Sequence, residues 1–325
     1  MVDIHAHLLS SDVKFDRFYD KIAIKFFASK LGIDPKKLIE NPYEAYTLSL
    51  MKNIRESKHL SKTVLFGVDE RVDEKGKTLH KDITVCATNK DLLELYQKNS
   101  DIVIPFFSIN PLRPDALDLI DKYTELGFKG AKFLQNYWGV DTREKRFIPY
   151  FEKLKAKNLP LIIHVGSESS VHSFKECESI NMLNQPLEIG VNTICAHMAL
   201  SYTPLGIFKA LSQNPKHFNE EYFQLLEMLE THDNLYADIS ALLTPVRAKV
   251  LRHLSSQTNI HDKLLFGTDF PVPFTTVLNS HDLPFQKRFE ISKIKNPHDR
   301  YAEVMLEYFP RDNPIFTNHK KILKS

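Results

Sequence analysis

His5 and His7 stand one residue apart near the start of the chain, in Met1-Val2-Asp3-Ile4-His5-Ala6-His7. In a strand, successive side chains point to opposite faces, so residues at i and i+2 share a face, about 7 Å apart along the backbone. Two imidazoles placed in this way can converge on one cation. Neutral imidazole is a common ligand of zinc, iron, nickel and copper. On its own the pair reads as two polar residues on an edge strand. Three further groups of the same chemical type change that reading, because each ends a short apolar run. His164 follows Leu161-Ile162-Ile163, His197 follows Thr193-Ile194-Cys195-Ala196, and Asp269 follows Leu265-Phe266-Gly267-Thr268. The chain has 14 histidines, and the other ten lie mostly among charged neighbours, where a surface role is expected.

The elements that must position these groups follow from hydropathy. Apolar runs at 2–9, 63–68, 101–109, 129–134, 159–165, 192–198, 235–241 and 263–268 suit parallel strands buried on both faces. Amphipathic stretches lie between them, at 115–126, 143–157 and 220–232. Regular strand–helix alternation implies right-handed crossovers, and about eight such units imply an α/β fold of the (β/α)8 TIM-barrel type. A doubly wound open sheet is the alternative. Against it, the first run is followed by Ala6-His7-Leu8-Leu9-Ser10 and not by a glycine-rich phosphate loop. The whole chain, 1–325, is expected to be one barrel domain. A helical insertion at about 12–62 would lie above the mouth, and an extension at about 275–325 would include a helix at 298–309. Barrel active sites sit where strands end and loops begin, which is where all five groups fall. Substrate choice is expected to reside chiefly in the insertion and the tail.

Composition narrows the function classes. The chain is 42% hydrophobic and 26% charged, with a formal net charge of +2, which gives no reason to expect nucleic acid or an anionic membrane as partner. No apolar run approaches the roughly 20 residues that span a bilayer. The start lacks a charged leader and apolar core of signal-peptide type. Cys86, Cys177 and Cys195 are odd in number and widely spaced, which argues against a disulfide framework and a thiolate zinc site. A reduced, cytoplasmic setting is the expectation, with an anionic small molecule as substrate and a homodimer contact through the insertion or the tail.

Several stretches carry a family resemblance. They are Asp3-Ile4-His5-Ala6-His7, Gly127-Phe128-Lys129-Gly130-Ala131-Lys132, Ile163-His164-Val165-Gly166-Ser167-Glu168, Ala196-His197, Tyr236-Ala237-Asp238-Ile239-Ser240 and Gly267-Thr268-Asp269-Phe270-Pro271. Together they resemble the amidohydrolase superfamily of metal-dependent TIM-barrel enzymes. Within it they are most similar to the branch that groups decarboxylases of aromatic or muconate-type acids with lactone hydrolases. The resemblance implies that His5, His7, His164 and Asp269 hold one divalent metal, zinc above others, and that His197 is the catalytic histidine or a ligand of a second metal. Three neutral imidazoles and one carboxylate would leave the zinc site a net charge of about +1, with room for a water whose pKa falls from about 15.7 to about 7. Asp269 could take that proton, and His197 could move one near neutral pH. Lys132 stands where binuclear members carry a carbamylated lysine between two metals. Its alternative is an ordinary lysine reaching toward a substrate anion or the barrel wall.

Other residues near the mouth have paired readings. Asp238 orients a ligand histidine or makes a structural hydrogen bond. Asp3 shares the parity of His5 and His7 but lies deeper, as a buried partner rather than a catalyst. Ser167 and Glu168 face the cavity or cap the next helix. Arg247 grips a substrate carboxylate or is a solvated helix charge. Asn136, Tyr137 and Trp138 follow the fourth run, where Tyr137 and Trp138 form an aromatic wall for substrate or pack beneath a loop. Three functions compete. The first is attack of metal-activated water on a lactone, amide or ester of a small carboxylated substrate. The second is non-oxidative decarboxylation of an aromatic or muconate-type acid. The third is a barrel without activity that serves as a binding protein.

Overall fold

Every apolar run singled out above forms a strand in the computed structural model, which describes residues 1–14, 28, 32–167, 171–201, 212–280 and 282–323. The strands are β1 (Val2–His7), β2 (Lys62–Phe66), β5 (Val103–Ser108), β6 (Gly130–Phe133), β7 (Leu161–Ile163), β8 (Thr193–Cys195), β9 (Leu235–Asp238) and β10 (Leu264–Leu265). They are ordered β1-β2-β5-β6-β7-β8-β9-β10, each parallel to its neighbour. The circle is completed between the last strand and the first. The Ile4 N–H donates to the Phe266 carbonyl at 3.0 Å, the Asp269 N–H to that of His5 at 2.8 Å, and the His7 N–H to that of Phe270 at 2.7 Å. The fold is therefore a (β/α)8 TIM barrel. A small antiparallel hairpin, β3 (Arg71–Val72) with β4 (Thr78–His80), rises from the loop after β2.

Alternation along each strand divides two cores. Val2, Ile4, Val64, Phe66, Phe106, Ile162, Ile194 and Leu265 fill the barrel. Their neighbours Leu65, Phe107, Ala131, Phe133, Leu161, Ile163, Cys195 and Ala237 pack outward against the helices. The helix expected at 115–126 spans Ala116–Glu125, and that expected at 220–232 spans Glu220–Thr231. The stretch 143–157 becomes a 3-10 turn, Lys145–Phe147, followed by a helix, Ile148–Ala156. Proline in the first turn suits that start, since its missing N–H would have no partner there anyway. Among the described residues, no helix is long and apolar enough to cross a membrane.

Strand β1 contains the irregularity that matters for function. Asp3 pairs with Thr63 and Ala6 with Leu65, so three steps along β1 match two along β2. This is a β-bulge, which re-aims side chains and is common beside active sites. Val2 and Ile4 point into the barrel below it; His5 and His7 share a face above it. The parity expected for Asp3 fails for this reason. Asp3 lies toward the outer helix Pro297–Tyr308, with His298 Nδ1 3.9 Å from its carboxylate.

The described parts of the two extra segments pack against the side and the floor of the barrel. Of the stretch 12–62, residues 15–27 and 29–31 lie outside the described residues. Its helices Pro35–Glu40 and Pro42–Arg55 are present as expected. The second packs at the β1–β10 seam: Tyr46 stacks on Phe270 at 5.8 Å, and its hydroxyl donates to the His7 carbonyl. It buttresses the barrel from the side and does not cover the mouth. The helix expected at 298–309 spans Pro297–Tyr308, and the chain then runs to the opposite end of the barrel. There Ile322 joins the interior core, while Asn318 Nδ2 donates to the carbonyls of His261 and Leu264, both at 2.8 Å. The tail thus plugs the floor, and no described residue beyond Pro273 lines the cavity at the mouth. Ile322→Asp should lower stability by about 3 kcal/mol, seen as a drop in Tm, because it buries an unpaired charge. Metal uptake by the folded fraction should be unchanged, since the plug is remote from the mouth.

Candidate metal centre

The centre is assembled where β1, β6, β7, β8, β9 and β10 end. Asp3 fastens the first strand to the last. Its Oδ1 accepts from the N–H of His5 and of Thr268, each at 3.0 Å, and its Oδ2 accepts from the Thr268 hydroxyl at 2.6 Å. Burial pushes this carboxyl up to about 7 from its ordinary 3.8. Gly267 permits the close approach of the two strands. A Cβ there would lie 3.1 Å from the Cβ atoms of both His5 and Ser240. Two of the functional groups sit on left-handed backbone, Asp269 at φ 63° and His197 at φ 54°, the latter followed by Met198 and Ala199 at 56° and 54°. Non-glycine residues there cost about 1–3 kcal/mol each and persist where surrounding contacts hold them, often at functional sites.

The side chains converge. His7 Nε2 lies 3.2 Å from Asp269 Oδ1, and His5 Nε2 lies 3.4 Å from the same oxygen. Ligand atoms of His5, His7 and Asp269 all fall within 4.8 Å of one another. His197 Nε2 is 3.9 Å from Asp269 Oδ2. The ring of His197 is 4.8 Å from that of His5 and 5.3 Å from that of His164. His164 therefore borders the group but is not one of the three atoms packed closest. Gln135 Nε2 holds its backbone, donating to the carbonyls of His164 and Cys177.

Hydrogen bonding fixes which nitrogen carries the proton. Asp238 is the hub. Its Oδ2 lies 2.7 Å from His5 Nδ1, and its Oδ1 accepts from the N–H groups of His197 and Ser240, each at 3.0 Å, and from the Ser240 hydroxyl. A carboxylate with four donors around it is an acceptor, so His5 Nδ1 bears hydrogen and its Nε2 offers a lone pair. His197 Nδ1 lies 2.7 Å from the Ser240 hydroxyl and 3.2 Å from the Ser240 carbonyl. A carbonyl can only accept, so His197 Nδ1 also bears hydrogen and Nε2 is bare. Burial holds both imidazoles well below the usual histidine range, with Lys132 next in effect at His5 and Arg247 at His197, so both are neutral.

The result is an electrostatic conflict that a cation resolves. Asp269 Oδ1 is buried with no hydrogen-bond partner, yet two imidazole nitrogens face it at 3.2 and 3.4 Å, and that of His5 is a bare lone pair. Opposed acceptors repel unless a positive ion stands between them. The donor set of imidazole and carboxylate, without thiolate, fits a divalent metal.

A cavity of about 430 Å³ opens above the centre. Its floor holds His7, Lys132, His164, His197, Arg247 and Asp269, and its walls are apolar, including Leu9, Val68, Val85, Leu134 and Pro271–Pro273. Arg247 is not the solvated charge of the bland reading: it is 4% exposed, and its Nε donates to the Leu200 carbonyl at 2.9 Å. Lys132 also reaches the floor, its Nζ 3.3 Å from His5 Nε2. Trp138 lies elsewhere. It is buried beneath the loops, its Nε1 donating to the Asp69 carbonyl at 2.8 Å and its ring meeting Phe133 edge-on at 4.9 Å. Tyr137 is likewise structural, its hydroxyl 3.1 Å from His80 Nδ1 and from the Asp82 N–H. Ser167 is described, and Glu168 lies outside the described residues. The sequence reading missed Ser240. The same i and i+2 rule, applied to Asp238-Ile239-Ser240, would have found it beside Asp238.

His5→Ala and Asp269→Asn should each cut bound metal to well below one equivalent, measured by elemental mass spectrometry. Asp238→Ala should weaken metal affinity by about 10–100-fold in a chelator competition, because His5 loses the group that orients it.

Comparison with known proteins agrees with this fold. An amidohydrolase family model matches residues 2–278. Among solved structures, the chain is similar to a 2,6-dihydroxybenzoate decarboxylase in complex with 2,6-dihydroxybenzoate, at 13% identity and a TM-score of 0.54, covering 99% of this chain and 98% of that one. It is similar to a zinc-bound amidohydrolase from Burkholderia multivorans, at 12% identity and a TM-score of 0.53, covering 99% and 95%. It is also similar to 5-carboxyvanillate decarboxylase from Sphingomonas paucimobilis, at 12% identity and a TM-score of 0.51, covering 100% and 98%. Likeness at such identities speaks for the shared fold. No curated protein gives a significant match. With the family model spanning most of its length and the barrel present strand for strand, the chain belongs to the amidohydrolase family of enzymes.

Proposed function

We propose that the protein is a metal-dependent hydrolase that opens a lactone, amide or ester of a small carboxylated substrate, with one zinc ion held by His5, His7, His164 and Asp269. The observation that carries this reading is the buried, unbonded Asp269 Oδ1 facing the Nε2 atoms of His5 and His7 on a cavity floor. A bound zinc ion would supply Lewis acidity and a water acidified to near neutral pH. The protein's own groups do the rest. Asp269 Oδ2 lies 3.9 Å from the bare Nε2 of His197, so a proton taken by the carboxylate can pass to the imidazole. Ser240 and Asp238 hold the other face of that ring, which keeps Nε2 turned toward the reacting group. His197 then returns the proton to the leaving group. The apolar walls exclude water from the substrate's body, and Arg247 and Lys132 draw its carboxylate to the floor.

Decarboxylation is the second reading, favoured by the two buried cations beneath apolar walls, which suit an aryl carboxylate. His197, after taking a proton at Nε2 from water, would give it to the ring carbon that bears the carboxylate, and the electrons of the broken carbon–carbon bond would return to the ring as carbon dioxide leaves. An inactive barrel is disfavoured, since all five groups are retained.

A panel of lactones, esters, amides and aryl carboxylic acids, assayed with added zinc or manganese, tests the choice. Ring opening or bond hydrolysis of a carboxylated substrate without carbon dioxide release is expected. Carbon dioxide release alone would transfer the assignment to a carboxy-lyase. His197→Ala should keep its metal and lose activity by about 10²–10⁴-fold.

A further inference from the structure

Lys132 occupies a ligand atom that the proposed cation needs. Its Nζ lies 3.3 Å from His5 Nε2. Because His5 Nδ1 bears hydrogen toward Asp238, at 2.7 Å, Nε2 is a lone pair and the lysine is the donor. The same Nε2 faces Asp269 Oδ1 at 3.4 Å. A zinc ion bonded to this nitrogen would sit about 2.0–2.1 Å from it and would take both the lone pair and the space. An ammonium at its present distance would also be repelled by the incoming charge. The two cations exclude each other.

The lysine has somewhere to go. It is 1% exposed, lines the cavity floor with Arg247, and lies with Nζ 4.9 Å over the Phe66 ring. Its four-carbon stem is flexible, so a change of rotamer turns Nζ toward the cavity without a shift of backbone. We propose that Lys132 couples metal loading to substrate binding. Without the metal its ammonium caps His5 Nε2; with the metal it is turned into the cavity and anchors the substrate's anionic group. Such coupling is reciprocal, so a bound anion also tightens the metal. The inference rests on the reading that this site holds a divalent cation.

Lys132→Met removes the ammonium and keeps most of the stem. Zinc affinity of the full-length protein is read by competition with a chromophoric chelator, and binding of benzoate, as the carboxylate probe, by calorimetry on the zinc-loaded protein. The variant should bind zinc about tenfold more tightly or better, since a hydrogen bond to a charged group no longer competes. It should bind benzoate more weakly than the wild type. Lys132→Gln, which also removes the charge, should show the same pair of shifts. Zinc affinity that is unchanged or lower in the folded variants overturns the proposal, and loss of a second metal equivalent would make the lysine a metal-bridging group. A wild-type protein that takes up no zinc is a different result, which defeats the metal reading itself.

Discussion

Closure of the barrel between its last and first strands is the constraint from which the site follows. His5 and Asp269 are distant along the chain, yet the Asp269 N–H bonds directly to the His5 carbonyl at 2.8 Å. The join is reinforced by Asp3, which accepts from backbone on both strands and from the Thr268 hydroxyl. A Cβ at Gly267 would crowd His5 and Ser240, each at 3.1 Å, so glycine eases the approach of the strands. An open sheet would leave these two strands at opposite edges, and no metal site could form.

Closure places the groups, and polar contacts behind them set their chemical state. Asp238 receives His5 Nδ1, the His197 N–H and both donors of Ser240. Asp238 thereby fixes the tautomer of His5, Ser240 fixes that of His197, and both unprotonated Nε2 atoms turn toward Asp269. This is costly machinery for stability alone. A buried carboxylate oxygen without a donor, Asp269 Oδ1 facing two imidazole nitrogens, is tolerated where a ligand will satisfy it. The left-handed backbone at His197 and Asp269 belongs to the same pattern.

Much of this was legible in the chain because its signals are local. Parallel strands buried on both faces read as continuous apolar runs, so all eight barrel strands were visible, with ends shifted by a few residues. Groups at strand ends follow from counting along such runs, which brought out His5, His7, His164, His197 and Asp269. The bulge in β1 was not legible: nothing in Asp3-Ile4-His5 marks the extra residue, and Asp3 was assigned the wrong side in consequence. Burial of Arg247 and the packing of Trp138 depend on elements distant in sequence, so side-chain type alone left both open. Helices of the insertion and tail were legible, but a helix's amphipathic face does not say which strand it covers, as with Pro42–Arg55 at the barrel seam.

The central claim is that imidazoles from different strands and one carboxylate share a single cation at the barrel mouth. X-ray absorption at the zinc edge of the loaded protein tests it most directly. The account predicts an inner shell of nitrogen and oxygen at about 2.0–2.1 Å, with multiple-scattering features of at least two imidazoles and no sulfur. A shell containing sulfur at about 2.3 Å, or one without imidazole scattering, would contradict it.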